Sequence, residues 1–136
     1  MLDHTLENAF CNVLKAVPEL ADLHFFTGQT DESHELPAIT VVSKSESLAG
    51  STEVFRADIQ IVLESDAHDT PPNQRTAFLG HLRSILAEKP SLLAVVNATG
   101  DVVLFGYALV SSEPEAVDGR FRTVLTLKAG YRVPPN

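Results

Sequence analysis

The stretch VFRADIQIVLE, residues 54 to 64, decides the fold predicted for this chain. Apolar residues occupy every second position, from Phe55 through Ile59 to Leu63, and polar residues such as Arg56 lie between them. This alternation is typical of a β-strand in a sheet with one covered face and one face in water. The sequence therefore predicts a strand over Val54 to Glu64, with an apolar layer packed on one side.

Two segments with helical spacing are candidates for that apolar layer. Apolar residues recur every three or four positions, which predicts helices over Leu2 to Val17 and over Pro72 to Glu88. A shorter helical turn is predicted after Pro90. The apolar stripes consist of Leu6, Phe10, Val13, Leu14 and Val17 in the first helix and of Phe78, Leu79, Leu82, Ile85 and Leu86 in the second.

Three more strands are predicted from β-branched and aromatic residues: Leu36 to Ser43, Val102 to Val110 and Arg120 to Tyr131. A further short strand is possible near Phe25. The predicted fold is a single α+β domain over residues 1 to 136. It has a mainly antiparallel sheet of four strands, or five with the extra one, with helices packed on one face, in the order α-β-β-α-β-β. In the strand predicted over Val102 to Val110, the residues expected on the covered face are Val103, Phe105, Tyr107 and Leu109.

Composition and charge exclude several classes of protein. The chain has 136 residues, 44% of them apolar, which is typical of a folded domain rather than a disordered one. Its 18 acidic and 10 basic residues give a net charge of −8, so wrapping nucleic acid is not expected. Cys11 is the one cysteine, which excludes an internal disulfide and fits a cytosolic setting. No signal peptide or membrane-spanning segment is predicted.

Two polar segments are predicted as connections: Lys44 to Glu53 is a loop or the tip of a hairpin, and Ser111 to Gly119 is an acidic loop within a hairpin. Both are long for hairpin connections, and both are rich in small polar or acidic residues. Such loops bury too little surface to order themselves, so we expect them to be mobile in the free chain and to contact protein partners. The candidate contact residues are Lys44, Glu46, Leu48, Ser51, Glu53, Glu113, Glu115, Val117, Asp118 and Arg120.

No phosphate-binding loop, dinucleotide fingerprint, nucleophile elbow or zinc signature occurs in the sequence. Glu64, Asp66, His68 and Asp69 carry groups that bind metals, but a solvated loop explains them equally well. We therefore expect no catalytic residue, no metal and no cofactor.

The isolated histidines and the cysteine are also interpreted as structural or solvated residues. His81 is expected at the edge of the core, and His24 and His34 are expected in solvent. Cys11, at the apolar edge of the first helix, is expected to be a small half-buried residue rather than a nucleophile, because no activating base is evident.

Four stretches, in order, resemble one known family. They are LPAITVV (Leu36 to Val42), FRADIQIVLES (Phe55 to Ser65), FLGHLRSIL (Phe78 to Leu86) and FGYALVSSEPEAVDGRFRTVLTLKAGY (Phe105 to Tyr131). With the amphipathic N-terminal helix before them, they resemble the tail terminator proteins of long-tailed bacteriophages. The resemblance runs from Leu2 to Val133 and rests on pattern and order.

The resemblance implies a structural virion protein located at the neck end of the tail and made in the host cytoplasm. Subunits of this family form a ring, six copies in the family, that caps the tail tube, ends its polymerisation and offers a surface to the head connector. The implied partners are other copies of the chain, the tail tube protein and the head-closure protein. DNA passes through the channel without specific binding, and the family has no catalytic residues to transfer.

Two other interpretations remain open at the level of sequence. One is a head-closure, neck or other tail-completion protein of the same kind of virion. The other is a small α+β enzyme or ligand-binding domain with its site in Glu64 to Asp69. Neighbouring genes for a tail tube and a tape measure would separate a virion protein from a metabolic one.

Overall fold

A computed structural model of the chain describes residues 2–28, 36–48, 53–66, 71–98, 100, 102–117 and 119–133. A 3₁₀ turn at Pro18–Leu20 follows the first helix. The three helices are α1 (Leu2–Lys15), α2 (Pro72–Ala87) and α3 (Lys89–Ala98), and the five strands are β1 (His24–Thr27), β2 (Ala38–Ser47), β3 (Val54–Asp66), β4 (Val103–Val117) and β5 (Arg120–Arg132).

The strands form one mixed sheet in the spatial order β1-β2-β3-β5-β4. Strand β1 runs parallel to β2, and every other neighbouring pair is antiparallel. The α+β class and the mainly antiparallel sheet are thus confirmed, and the possible strand near Phe25 is present. The predicted order α-β-β-α-β-β lacks β1 and counts the segment after Pro90 as a turn, whereas it is the ten-residue helix α3.

All three helices contribute side chains to one hydrophobic core against one face of the sheet. The alternation in β3 predicts that face correctly, since Phe55, Ile59 and Leu63 are buried and Arg56 is exposed. The opposite face, called here the outer face, is not uniformly exposed to solvent. Val62 belongs to the outer face by alternation and is nevertheless only 3% exposed.

Both polar segments contain β-structure, over residues 44–47 of the first and 111–117 of the second, which corrects the prediction of loops there. Strand β2 continues to Ser47, which pairs with Phe55, and β4 continues to Val117, which pairs with Arg120. The connections therefore shrink to residues 48–53 and 118–119. The tight second turn uses Gly119, whose φ of +79° is a left-handed conformation that glycine adopts without steric cost.

Cross-strand pairs of polar side chains explain why these extensions are ordered. Glu46 of β2 forms an ion pair with Arg56 of β3. The Tyr131 hydroxyl donates a hydrogen bond to Ser45 Oγ at 2.8 Å. The first pair joins the neighbouring strands β2 and β3, and the second joins β2 to β5 across β3. Polar pairs of this kind stabilise a sheet although they leave no apolar alternation in the sequence.

Candidate subunit-contact surfaces

The structure separates the predicted contact residues into two groups at opposite ends of the sheet. In the first group, Lys44 and Glu46 are exposed on the outer face at the end of β2. Leu48 and Glu53 are exposed between β2 and β3, and Ser51 lies outside the described residues. All were predicted in a loop, but Lys44 and Glu46 are strand residues.

The second group surrounds the β4–β5 turn. Glu113 and Glu115 are exposed in β4 rather than in a loop. Arg120 begins β5, and its Nη1 lies 3.6 Å from a carboxylate oxygen of Glu64. Val117 ends β4, and Asp118 lies outside the described residues. The two groups flank opposite ends of β3 and are separated by about 26 Å, the rise of eight strand residues.

The predicted metal candidates do not converge within the part of the chain that the structure describes. Glu64 is engaged with Arg120 at the end of β3, beside Asp66, and His68 and Asp69 lie outside the described ranges. Among described residues, no group of three or more His, Cys, Asp or Glu is placed to hold a metal ion.

The isolated histidines and Cys11 are placed partly as predicted. His24 is exposed as expected, and His34 lies outside the described residues. His81 is exposed on α2, so its predicted place at the core edge is wrong. Cys11 is more buried than predicted, at 3% exposure, and burial raises the pKa of its thiol to about 11. A thiol held in its neutral form is a poor nucleophile.

Strand β4 exposes three large apolar side chains, and two of them, Phe105 and Leu109, were predicted on the covered face. Phe105 is 54% exposed, Leu109 42% and Val110 50%. Phe105 and Val110 fall at the two register shifts against β5, between Leu104 and Gly106 and between Leu109 and Ser111, whereas Leu109 pairs with Leu127 on the covered face and is exposed on the edge strand. Each extra residue interrupts the strict alternation that the sequence prediction assumed. These three side chains are called the β4 apolar patch.

Strand β4 is an edge strand, and several features oppose the addition of another strand to it. The two bulges distort the ladder, and Pro114 removes a backbone donor, which edge strands tolerate. The side chain of Asn97 in α3 accepts from Leu104 N at 2.6 Å and donates to Leu104 O at 3.2 Å. Pairing of another strand with this edge is therefore unfavourable, whereas the side chains of the β4 apolar patch remain exposed for contacts.

A cleft of about 220 Å³ lies between the start of α2 and the tip of the β4–β5 hairpin. The guanidinium of Arg75 lies over the ring of Phe121, with its central carbon 3.6 Å from the ring centroid. Arg75 Nε is buried and has no hydrogen-bond acceptor among the described residues. Leu63 and Leu79 form apolar parts of the walls, and Glu115 and Arg122, an ion pair with 3.9 Å between Nε and Oε1, also line the cleft. This surface is called the Arg75 cleft.

An apolar groove of about 460 Å³ lies where the end of α1 meets α2 and α3. Val13 and Val17 of α1, Ile85 of α2 and Val95 of α3 line it. Glu88, which caps the C-terminal end of α2, is exposed on its wall and is the one acidic residue there. This surface is called the Glu88 groove.

Sequence reasoning did not single out Arg75, Glu88, Phe121 or the β4 apolar patch as surface features. The cleft and the groove draw their walls from separate parts of the chain, so only the fold brings their residues together. The one sequence signal for the patch was the glycine at position 106, because glycine inside a strand often marks a bulge.

Comparisons with known proteins add no family. No family model and no curated protein matches the chain. One solved structure, whose name carries no functional information, is 12% identical with a TM-score of 0.45 and covers 98% of this chain and 93% of its own. A likeness at that level carries no argument about function. Within the described residues, no helix is long and apolar enough to cross a membrane.

Proposed function

We propose that this chain is a tail terminator subunit of a long-tailed bacteriophage. Copies close into a ring, six in the family that the sequence resembles, which caps the tail tube, stops its polymerisation and presents a surface to the head connector. The observation that carries the assembly part of the proposal is the β4 apolar patch. Large apolar side chains concentrated on one exposed strand are typical of a protein contact rather than of a surface that stays in water.

The order of the elements supports the tail-terminator part of the proposal. Helix α1, the antiparallel pair β2–β3, helix α2 and the long β4–β5 hairpin follow one another as the resemblance implies. Strand β1 is inserted between α1 and β2, and helix α3 between α2 and β4. Fold alone does not define function, so this agreement supports the proposal together with the exposed patch rather than by itself.

The charge of the chain suits the passage of DNA through such a ring. A subunit with a net charge of −8 repels phosphate wherever its acidic residues face a channel. The exposed side chains of Lys44, Glu46, Glu113 and Glu115 remain candidates for contact with the tail tube or the connector. The role needs no bound cofactor and no catalytic turnover.

The proposal is tested on tails purified from the phage that carries the gene. Quantitative mass spectrometry is expected to find this chain in tails at a fixed ratio to the tube protein, and antibody labelling is expected to place it at the neck end. Without the gene, overlong tails that do not join heads are expected. Tails that lack the chain and keep normal length without the gene would overturn the proposal. Copies found only on tail-less heads would instead favour a head-closure protein.

A further inference from the structure

Helix α2 has a charged residue near each end whose sign is unfavourable for the dipole of the helix. The partial positive charge at a helix N-terminus favours acidic side chains, and the partial negative charge at the C-terminus favours basic ones. Helix α2 has no acidic residue in its first turn and no basic residue in its last turn. Instead, Arg75 is its fourth residue, and Glu88 caps its C-terminal end. Both charges thus lie at the less favourable end.

Neither charge is compensated by an ion pair among the described residues. Arg75 has Phe121 under its guanidinium and a buried Nε without an acceptor. Glu88 is exposed on a groove otherwise lined by apolar side chains and Pro18. A partly desolvated cation and a carboxylate beside apolar surface each gain most from a partner of opposite charge.

The two surfaces lie near opposite ends of one helix. Helix α2 has 16 residues and is therefore about 24 Å long. The Arg75 cleft lies beside its N-terminal end, and the Glu88 groove lies beside its C-terminal end. A ring with head-to-tail contacts needs two different, complementary surfaces on each subunit. These two differ in place and in sign of net charge, since the cleft has Arg75 and Arg122 against Glu115, and the groove has Glu88.

We propose that Glu88 of one copy enters the Arg75 cleft of the next copy, so that the Arg75 cleft and the Glu88 groove form the repeated contact between subunits. In that contact, the carboxylate of Glu88 meets the guanidinium of Arg75 near the N-terminal end of the neighbour's α2. Arg75 in turn lies close to the C-terminal end of the other copy's α2. Both charges then occupy favourable positions relative to a helix dipole. This inference rests on the proposed ring and names its contact.

The test is a cycle of charge reversals in the full chain, with self-association measured by sedimentation velocity over a concentration series. Arg75→Glu and Glu88→Arg each place like charges at the contact, so each is expected to weaken association about tenfold or more. The double variant R75E/E88R restores opposite charges at every contact and is expected to return to within about threefold of the wild type, because coupled positions are not additive.

Matched controls change the same charges elsewhere. Arg83→Glu alters another α2 arginine, whose side chain donates to Ser112 Oγ at 2.7 Å, and Asp22→Arg reverses an exposed acid. Both are expected to leave association within about threefold of the wild type, since rim charges contribute little to affinity. Circular dichroism and thermal unfolding establish that every variant is folded.

A cross-linking measurement keeps the proposal falsifiable if a reversal variant does not fold. In a Cys11→Ala background, Arg75→Cys and Glu88→Cys chains are treated with a short bis-maleimide, separately and mixed. A head-to-tail contact places position 75 of one copy beside position 88 of the next, so only the mixture is expected to give covalent dimers. Cross-links in each separate sample, or none in the mixture, would overturn the proposal.

The remaining outcomes separate this contact from the proposed function. Single reversals that leave association unchanged, or a double variant as weak as the singles, overturn the assigned contact. If rings still form in those variants and tails still contain the chain, the tail-terminator role stands and only the contact falls. An absence of association in every sample also overturns this inference, whereas the role itself depends on finding the chain in purified tails.

Discussion

Single side chains close backbone hydrogen bonds near both edges of the sheet. On one side, Glu7 of α1 is only 5% exposed, and its carboxylate accepts from Ser43 N at 2.8 Å, beyond the last residue of β1. On the other side, the Asn97 amide satisfies both the N–H and the C=O of Leu104. A buried backbone donor without an acceptor is costly, so both side chains are expected to contribute to the stability of the sheet.

Removing the acceptor at Glu7 should therefore destabilise the fold. Glu7→Ala leaves the Ser43 N–H buried without this partner and is expected to lower the free energy of unfolding by about 1–3 kcal/mol. Glu7→Gln keeps a carbonyl acceptor and should cost less. Urea denaturation measures both, with Asn12→Ala, an exposed α1 residue, as the control expected to stay within about 0.5 kcal/mol. Equal losses for Ala and Gln would contradict this account.

Two buried side chains that can lose a proton, Tyr107 and Cys11, make the stability of the fold depend on pH in the alkaline range. Burial raises the pKa of Tyr107 from 10.0 to about 12 and that of Cys11 from 9.0 to about 11. Each group holds its proton more tightly when folded. The stability this contributes is fully present below about pH 9 and is lost as pH rises through the folded pKa values near 11 and 12.

Tyr107→Phe tests this dependence. The Tyr107 hydroxyl donates to the Leu86 carbonyl at 2.6 Å, so the variant should lose about 0.5–1.5 kcal/mol at neutral pH. Between pH 9 and 12, its free energy of unfolding should fall less steeply than that of the wild type, because one of the two titrating groups is absent. Urea denaturation over that range measures both slopes. Parallel curves for the two proteins would show that Tyr107 does not titrate as described.

At the scale of elements, the β4–β5 hairpin depends on its turn. Val117 pairs with Arg120, and Gly119 has a φ of +79°. Side chains in this left-handed conformation are strained by about 1–2 kcal/mol. A turn of two residues fixes the register of the long hairpin, and the hairpin in turn positions both the β4 apolar patch and Phe121 of the Arg75 cleft.

Two glycine-to-alanine changes should have opposite effects on stability. Gly119→Ala is expected to lower the free energy of unfolding by about 1 kcal/mol, because alanine does not favour positive φ. Gly80→Ala lies in the exposed part of α2 with open space around the added Cβ, and it should raise stability by about 0.5–1 kcal/mol. Thermal unfolding of the two variants measures both changes in stability. A stabilising Gly119→Ala would mean that the turn does not constrain the hairpin.

How regularly apolar residues alternate in an element explains whether that element could be predicted from the sequence. Strand β3 is central and one of its faces is buried along the strand, so its alternation marks it clearly and the prediction for Val54 to Glu64 was confirmed. The ends of β2 and β4 carry polar residues on both faces, held by pairs such as Glu46–Arg56, and polar composition alone indicated loops there. A bulge in β4 then exposed Phe105, which no strict period predicts.

At the scale of the whole molecule, the two surfaces proposed for assembly are products of the fold. The Arg75 cleft joins β3, α2 and the β4–β5 hairpin, and the Glu88 groove joins all three helices. Composition could indicate an acidic chain suited to a ring around DNA, but it could not indicate which charges lack partners. That information depends on packing, because a charge is compensated only by groups that the fold brings near it.

The β4 apolar patch gives the last prediction, which concerns incorporation into tails rather than folding. Val110 is a half-exposed bulge residue on an edge strand, where lysine is well tolerated, so Val110→Lys should change the free energy of unfolding by less than about 0.5 kcal/mol. If the patch contacts a neighbour, the same change buries a charge beside Leu109, and an unpaired buried charge is costly.

The measured quantity is the amount of this chain in purified tails after complementation of a phage that lacks the gene. Val110→Lys is expected to lower that amount about tenfold or more and to leave overlong tails, since each 1.4 kcal/mol lost at a contact weakens it tenfold. Gln60→Lys makes the same change of charge at an exposed position of β3 and should complement fully. Normal incorporation of Val110→Lys would remove the β4 apolar patch from the contact and leave its exposed side chains without a role in assembly.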